Sequence, residues 1–305
     1  MIKEEYSFDR IKDYLLNNID LLIVGSPTSE ERSRFFYDLW KSEKKDILIL
    51  EKNNDEKINC SYCCNEKYDS PFQYKYNICR GLNHLFSNDI NIASKNILVD
   101  LSSLDHVTIM VLTKVLITTA KPKSLFASYI RPKKYEISKS ELPLSDNIGD
   151  VACIPTFVRR ETDNQTLCAF IGFEGLRLKN LVESTFNVAK FRPIIAFPSG
   201  TIEWYNTTMW NNMDVLKSYS DDMTIHKCLS ESIFGTIKLL ENVLKDDKNV
   251  IIAPLGTRPH SMATAIYASK NNNVRIVYDF VEEKENRSVG IDYINIYHLS
   301  SFLND

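Results

Sequence analysis

Apolar residues fall along this chain in short unbroken runs, separated by polar stretches long enough to form helices. Leu21-Leu22-Ile23-Val24 ends at Gly25, and Leu167-Cys168-Ala169-Phe170-Ile171 ends at Gly172. Runs of this length bounded by turn residues read as strands buried on both faces. After Gly25 comes Ser26-Pro27-Thr28-Ser29-Glu30-Glu31-Arg32, a turn and helix start, followed by Phe35-Phe36-Tyr37-Asp38-Leu39-Trp40. After Gly172 comes Phe173-Glu174-Gly175-Leu176-Arg177, leading into a helix that carries Leu181 and Val182. Each half then offers another apolar strand, Asp46 to Leu50 in the first and Arg192 to Phe197 in the second.

The later parts of the halves also correspond. Asn96-Ile97-Leu98-Val99-Asp100-Leu101-Ser102-Ser103 parallels Asn249-Val250-Ile251-Ile252-Ala253-Pro254-Leu255-Gly256-Thr257. Helices over about 105–118 and 261–269 follow, then the strands Ser124 to Tyr129 and Val274 to Phe280. The order β-turn-α-β therefore occurs four times, in two matching pairs. Such alternation predicts an α/β protein of two tandem Rossmann-like units, with mostly parallel sheets flanked by helices. Residues 1–135 are expected to form the first unit, 136–153 a linker and 154–305 the second unit. Ile154-Pro155-Thr156-Phe157 would open the second unit as an edge strand. Internal duplication accounts for this repeat, and so does the likeness that any two Rossmann-like units share.

Composition narrows the function classes. At 305 residues, 44% hydrophobic and 25% charged, the chain resembles ordinary globular proteins. A net charge of −3 gives no bulk attraction for nucleic acid. No run of about 18 apolar residues suggests a membrane span. The first ten residues lack the apolar core of a signal peptide. Seven cysteines, an odd number, fit reduced thiols, so a cytoplasmic location is expected.

Open α/β sheets bind ligands at the carboxyl ends of their strands. Three such ends carry distinctive residues in the second half. Gly256-Thr257-Arg258 joins a strand to a helix rich in small residues, which can direct N–H groups and positive potential at an anion. Arg258 would add charge there and His260 a proton. Gly172 and Gly175 flank Glu174, with Arg177 one turn on, so Glu174 would act on a ribose hydroxyl or as a base. Arg177 would hold a phosphate. Glu174 and Arg177 also suit a helix-start acid with its ion pair, and Thr257 suits a plain helix cap. Trp204 and Tyr205 offer a stacking surface, or simply pack a loop down. Asn211 and Asn212 could read polar edges. In the first half, Asp100 at a strand's end would contact ribose or metal or serve as a base, or form an Asx-turn. Cys60, Cys63, Cys64, Cys79 and His84 contain a C-x2-C pair but no second one, so free thiols stand beside zinc as readings. No Walker A sequence, full dinucleotide fingerprint, nucleophile elbow or zinc-protease motif occurs.

The strand, Gly256-Thr257-Arg258 turn and following helix, over about 249–280, resemble the ligand-sensing CARF class of Rossmann-like domains. That resemblance implies recognition of a small nucleotide second messenger, often in bacterial antiviral defence. The chain departs from the usual arrangement: a second Rossmann-like unit stands where an effector domain would be expected. The leading expectation is binding of a phosphate-bearing nucleotide or related metabolite through Gly172, Gly175, Arg177, Trp204, Gly256, Thr257 and Arg258. A hydrolase or transferase using Glu174, His260 and Asp100 is the alternative. A non-catalytic interaction subunit, meeting a protein partner or a second copy, is the third.

Overall fold

The computed structural model describes residues 5–53, 57–63, 72–135, 144–159, 163–185, 187–198, 202–219 and 223–303. The protein is α/β. Two sheets with parallel centres are flanked, among the described residues, by nine α-helices. In chain order the first stretch runs β1 (Glu5–Ser7), α1 (Phe8–Asn18), β2 (Leu21–Val24), α2 (Arg34–Ser42), β3 (Asp46–Lys52), β4 (Lys57–Cys63) and β5 (Phe72–Gln73). It continues with α3 (Tyr74–His84), β6 (Asn96–Asp100), α4 (His106–Val115) and β7 (Ser124–Tyr135). The second stretch runs β8 (Ala152–Cys153), β9 (Gln165–Ile171), α5 (Gly175–Ser184), β10 (Val188–Ala196), α6 (Ile202–Asn211), α7 (Met213–Ser218) and β11 (His226–Cys228). Then come α8 (Ile233–Val243), β12 (Val250–Pro254), α9 (Arg258–Lys270), β13 (Val274–Tyr278) and β14 (Ser288–His298).

The predicted strand runs become the sheet centres because they are apolar throughout. All residues of β2, β9, β12 and β13 are buried, as strands covered on both faces must be. The first sheet has the order β1-β14-β7-β6-β2-β3-β4-β5, and its central four strands are parallel. The second has the order β11-β10-β9-β12-β13-β8, parallel except at β8. Within these, β4-β3-β2-β6-β7 and β11-β10-β9-β12-β13 are the same doubly wound arrangement, with the first strand central. The match breaks at one place. β4 runs antiparallel to β3, whereas β11 runs parallel to β10.

Helix faces supply the other half of each core. Phe36 and Trp40, one turn apart on α2, are fully buried. Phe36 meets Phe8 and Phe35 edge-to-face and Trp40 in a tilted contact, over β2, β3 and β6. On α9 eleven of thirteen residues are buried, and its alanines and serines let it lie close to its neighbours.

The division into units differs from the expected one at both boundaries. One compact unit comprises Met1–Glu136 with Glu285–Asp305, and the other Ile137–Lys284. The C-terminal strand β14 leaves the second unit and pairs antiparallel with β7 of the first. Conversely β8, the strand after β7, pairs antiparallel with β13. Each fifth strand is thus covered by the strand that follows the other unit's fifth strand. Periodicity sees only local apolar pattern, so the sequence reading leaves β14 where it falls in the chain. The expected edge strand at Ile154–Phe157 also shifts: the pairing residues are Ala152–Cys153, and a turn follows.

At the end of β2 the backbone turns against the loop after β6. A Cβ on Gly25 would lie 2.0 Å from the Ser103 carbonyl oxygen. Gly25→Ala should therefore destabilise the protein by about 1–3 kcal/mol through overpacking, read as a lower urea midpoint at unchanged slope.

Candidate functional site

The carboxyl ends of β9, β10, β11, β12 and β13 form one rim of the second unit. Doubly wound sheets bind ligands there, beside the point where connections leave the first strand in opposite directions. In this sheet that point lies between β9 and β12. The structure brings Gly172, Glu174, Gly175, Arg177, Gly256, Thr257, Arg258, His260 and Trp204 to this rim. Asp100 ends β6 in the other unit.

Glu174, Arg177 and Arg258 each have a charged partner within the fold. Glu174 is 5% exposed and accepts three hydrogen bonds, from Leu144 N (2.9 Å), Ser145 Oγ (2.9 Å) and Arg177 Nη1 (3.2 Å). Arg177 grips Asp279 with two parallel bonds of 2.7 Å and lies over the Tyr278 ring at 5.3 Å. Burial works against its charge, but Tyr278, Asp279 and Glu174 outweigh it and hold the guanidinium well above its usual range. Arg258, also buried, donates from Nη2 to Glu283 at 3.1 Å. Glu174 and Arg177 therefore follow the ion-pair reading, widened to a buried triad by Asp279.

The glycines have a comparable explanation. Cβ atoms on Gly172 and Gly175 would lie 2.6 Å from the Leu255 carbonyl oxygen and 1.8 Å from that of Asn211. What comes close to these glycines is the protein's own backbone. Asn211 and Asn212 donate to the carbonyls of Phe173 (2.6 Å) and Gly172 (2.8 Å), pinning the same loop.

The start of α9 is closed on itself. Thr257 N donates to His260 Nδ1 at 3.2 Å, while the Thr257 side chain accepts from the His260 backbone, a reciprocal cap. Pro259 has no N–H to offer. Thr257 Oγ donates to Ser230 O at 2.5 Å, and His260 Nε2 sits 3.1 Å from Leu229 O, so both side chains stitch the end of β11 to α9. With Nδ1 accepting, Nε2 carries the proton and donates. His260 stacks on Phe170 at 4.8 Å, and burial pulls its pKa down to about 4 despite the bond to Leu229. Cys228 Sγ lies 3.3 Å from Nε2, which resembles a thiol–imidazole dyad. Burial pushes that thiol up to about 12, so a neutral thiol faces a neutral imidazole and no thiolate nucleophile forms near neutral pH.

Asp100 is fully buried. Its Oδ1 accepts from Ser102 N (3.1 Å) and Ser128 Oγ (3.2 Å), the Asx-turn arrangement. In the same unit Glu30 and Arg32, both 2% exposed, reproduce the pairing of Glu174 with Arg177. Arg32 Nε donates to Glu30 at 3.0 Å and its guanidinium lies 5.6 Å from the Tyr129 ring centre. Ser288 and Arg287 complete the set on Glu30 as Ser145 does on Glu174.

Among the cysteines, Cys60 is buried with its thiol pushed up to about 12 by burial, then by Asp89. Cys79 accepts from Asn83, and His84 lies 3.5 Å from Asp89. Cys64 and the Cys63 side chain fall outside the described residues. Among the described residues no three metal-ligating side chains gather at one place, and no helix is long and apolar enough to cross a membrane.

One part of the rim remains open to solvent. Trp204 lies on α6, not in a loop, and meets Phe173 edge-on at 6.2 Å. Next to it Phe197, 39% exposed, meets Tyr205 at 5.3 Å, and Lys227 Nζ stands 4.5 Å above the Phe197 ring and 5.7 Å from that of Tyr205. Leu229, just after β11, is 52% exposed. Lys227 escaped the sequence reading because β11 is only three residues long and carries no periodic signal. No protein-family model matches the chain, and no match is found among curated proteins.

Two outcomes follow from this geometry. Arg177→Met should destabilise the fold by roughly 3–5 kcal/mol, because it leaves two buried carboxylates without their shared cation. His260 binds its proton less readily when folded, at about 4, than in an unfolded chain, where an imidazole titrates at about 6.5. Stability is therefore complete above pH 6.5 and falls as pH drops toward 4, since the unfolded chain takes up the proton first. Urea midpoints measured from pH 7 to 4.5 should fall less steeply for His260→Gln than for the parent.

Proposed function

We propose that the carboxyl rim of the second unit binds a phosphate-bearing nucleotide and holds it without chemical change. The observation that carries this reading is the exposed face of Phe197, Tyr205 and Lys227, set beside the switch point of a doubly wound sheet. Aromatic faces stack on nucleobases, and a lysine above them supplies a charge for phosphate. The bonds from Thr257 and His260 to Ser230 and Leu229 bring the start of α9 to the same stretch of rim. The positive end of that thirteen-residue helix adds to the field of Lys227.

Binding is favoured over turnover by the state of the candidate acids and bases. Glu174 accepts three bonds, Asp100 sits in an Asx-turn, and His260 is neutral with both ring nitrogens engaged. Arg177 and Arg258 act in this reading as supports for the rim, through Asp279 and Glu283, and not as phosphate ligands. The resemblance of the Gly256-Thr257-Arg258 turn to the CARF class extends the proposal to sensing of a nucleotide second messenger, with antiviral defence as its setting.

The test is thermal-shift and calorimetric titration of the full chain with AMP, ATP, NAD and a cyclic dinucleotide. At least one should raise the melting temperature. Tyr205→Ala and Lys227→Ala should each weaken it by about 1–3 kcal/mol at unchanged unliganded stability. No binding by any of the four, or binding indifferent to both substitutions, would overturn the proposal.

A further inference from the structure

The opposite end of the second sheet holds a separate feature. Where β9, β12 and β13 begin, a cleft of about 230 Å³ is lined by Arg159, Lys248 and Arg275, with the amide side chains of Gln165, Asn249 and Asn273. No carboxylate lines it among the described residues. Three cations thus share one small recess in a chain whose net charge is −3. The concentration of positive charge is local, and the walls of a recess focus its field.

The donors are also held in place. Arg159 donates from Nε to Asn272 O (3.1 Å) and from Nη1 to Val158 O (2.9 Å), which fixes the plane of its guanidinium. Arg275 extends from β13 and is 5% exposed. Asn273 is anchored by a 2.9 Å bond to Asp247 O. Asp247, the acid next to Lys248 in sequence, directs its carboxylate to Arg192 (2.9 Å) and Lys190 (3.4 Å). Its carboxylate is committed to these two basic residues of β10.

We infer that this cleft is an oxyanion site that takes a phosphate group, either as the free ion or as the terminal phosphate of a small phosphomonoester. Its volume is below the roughly 300–1,000 Å³ of sites that enclose whole drug-sized ligands, and so suits a charged head group. A guanidinium from Arg159 and an ammonium from Lys248 match the charge of phosphate and supply donors for its oxygens. The site is independent of the carboxyl rim and shares no residue with it.

The full-length protein is titrated with inorganic phosphate and, separately, with ribose 5-phosphate, in chloride buffer of matched ionic strength. Binding is read by calorimetry and by phosphorus-31 line broadening. Saturable binding of either probe, weakened about tenfold by Lys248→Gln and by Arg159→Gln, is expected. The tighter probe identifies the source of the phosphate. Both substituted residues are on the surface, so the result does not depend on a variant of the buried Arg275. Tyr205→Ala should leave phosphate binding unchanged. Absence of saturation, equal binding by the parent and both Gln variants, or loss in Tyr205→Ala alone would overturn the inference.

Discussion

Each unit is organised around a buried carboxylate–guanidinium pair just beyond its first central strand. Glu174 with Arg177 and Asp279 does this in the second unit, and Glu30 with Arg32 in the first. A buried ion pair is stable only when its remaining hydrogen-bonding groups are satisfied. Here segments distant in sequence provide them. Leu144 and Ser145 close Glu174, while Arg287 and Ser288 close Glu30. The pairs therefore fix where the chain enters and leaves each sheet. The rim, with its glycines and reciprocal cap, is built around those fixed points.

The same constraint explains which residues hold apparent catalytic groups inert. A solvent-facing glutamate, histidine and aspartate at strand ends would invite an acid–base reading. Glu174, His260 and Asp100 are buried instead, and each is held by backbone or hydroxyl partners that orient neighbouring loops. Lys227 differs because its β11 lies at the sheet's edge, where no further strand covers it among the described residues. Chemistry toward solvent is left to an edge residue and the aromatic rings beneath it.

Much of the architecture was legible because the central strands are apolar throughout and glycines mark their ends. The correspondence of β2 with β9, β6 with β12 and β7 with β13 follows from those runs alone. The direction of β4 was not legible, since an antiparallel and a parallel neighbour bury the same residues. Nor was the path of β14, whose pairing with β7 joins residues far apart in sequence. At the strand ends, Gly-Thr-Arg and Gly-x-Glu-Gly-x-Arg were legible as strand-to-helix turns after β12 and β9. Their partners Ser145, Asp279 and Glu283 lie in other segments, so the sequence could not show that the charges were already matched. The basic cleft draws on three short polar segments, none unusual by itself.

The crossed strands tie completion of the first sheet to synthesis of the whole second unit. β7 ends at Tyr135, but the strand that covers it begins at Ser288, roughly 150 residues later. At translation rates of roughly 5–20 residues per second, the ribosome needs on the order of ten seconds or more to deliver it. During that interval the twelve-residue β7 is an open template at the border of a nascent sheet. A ribosome that stalls before β14 would leave a product with that template exposed, marked for chaperones or self-association.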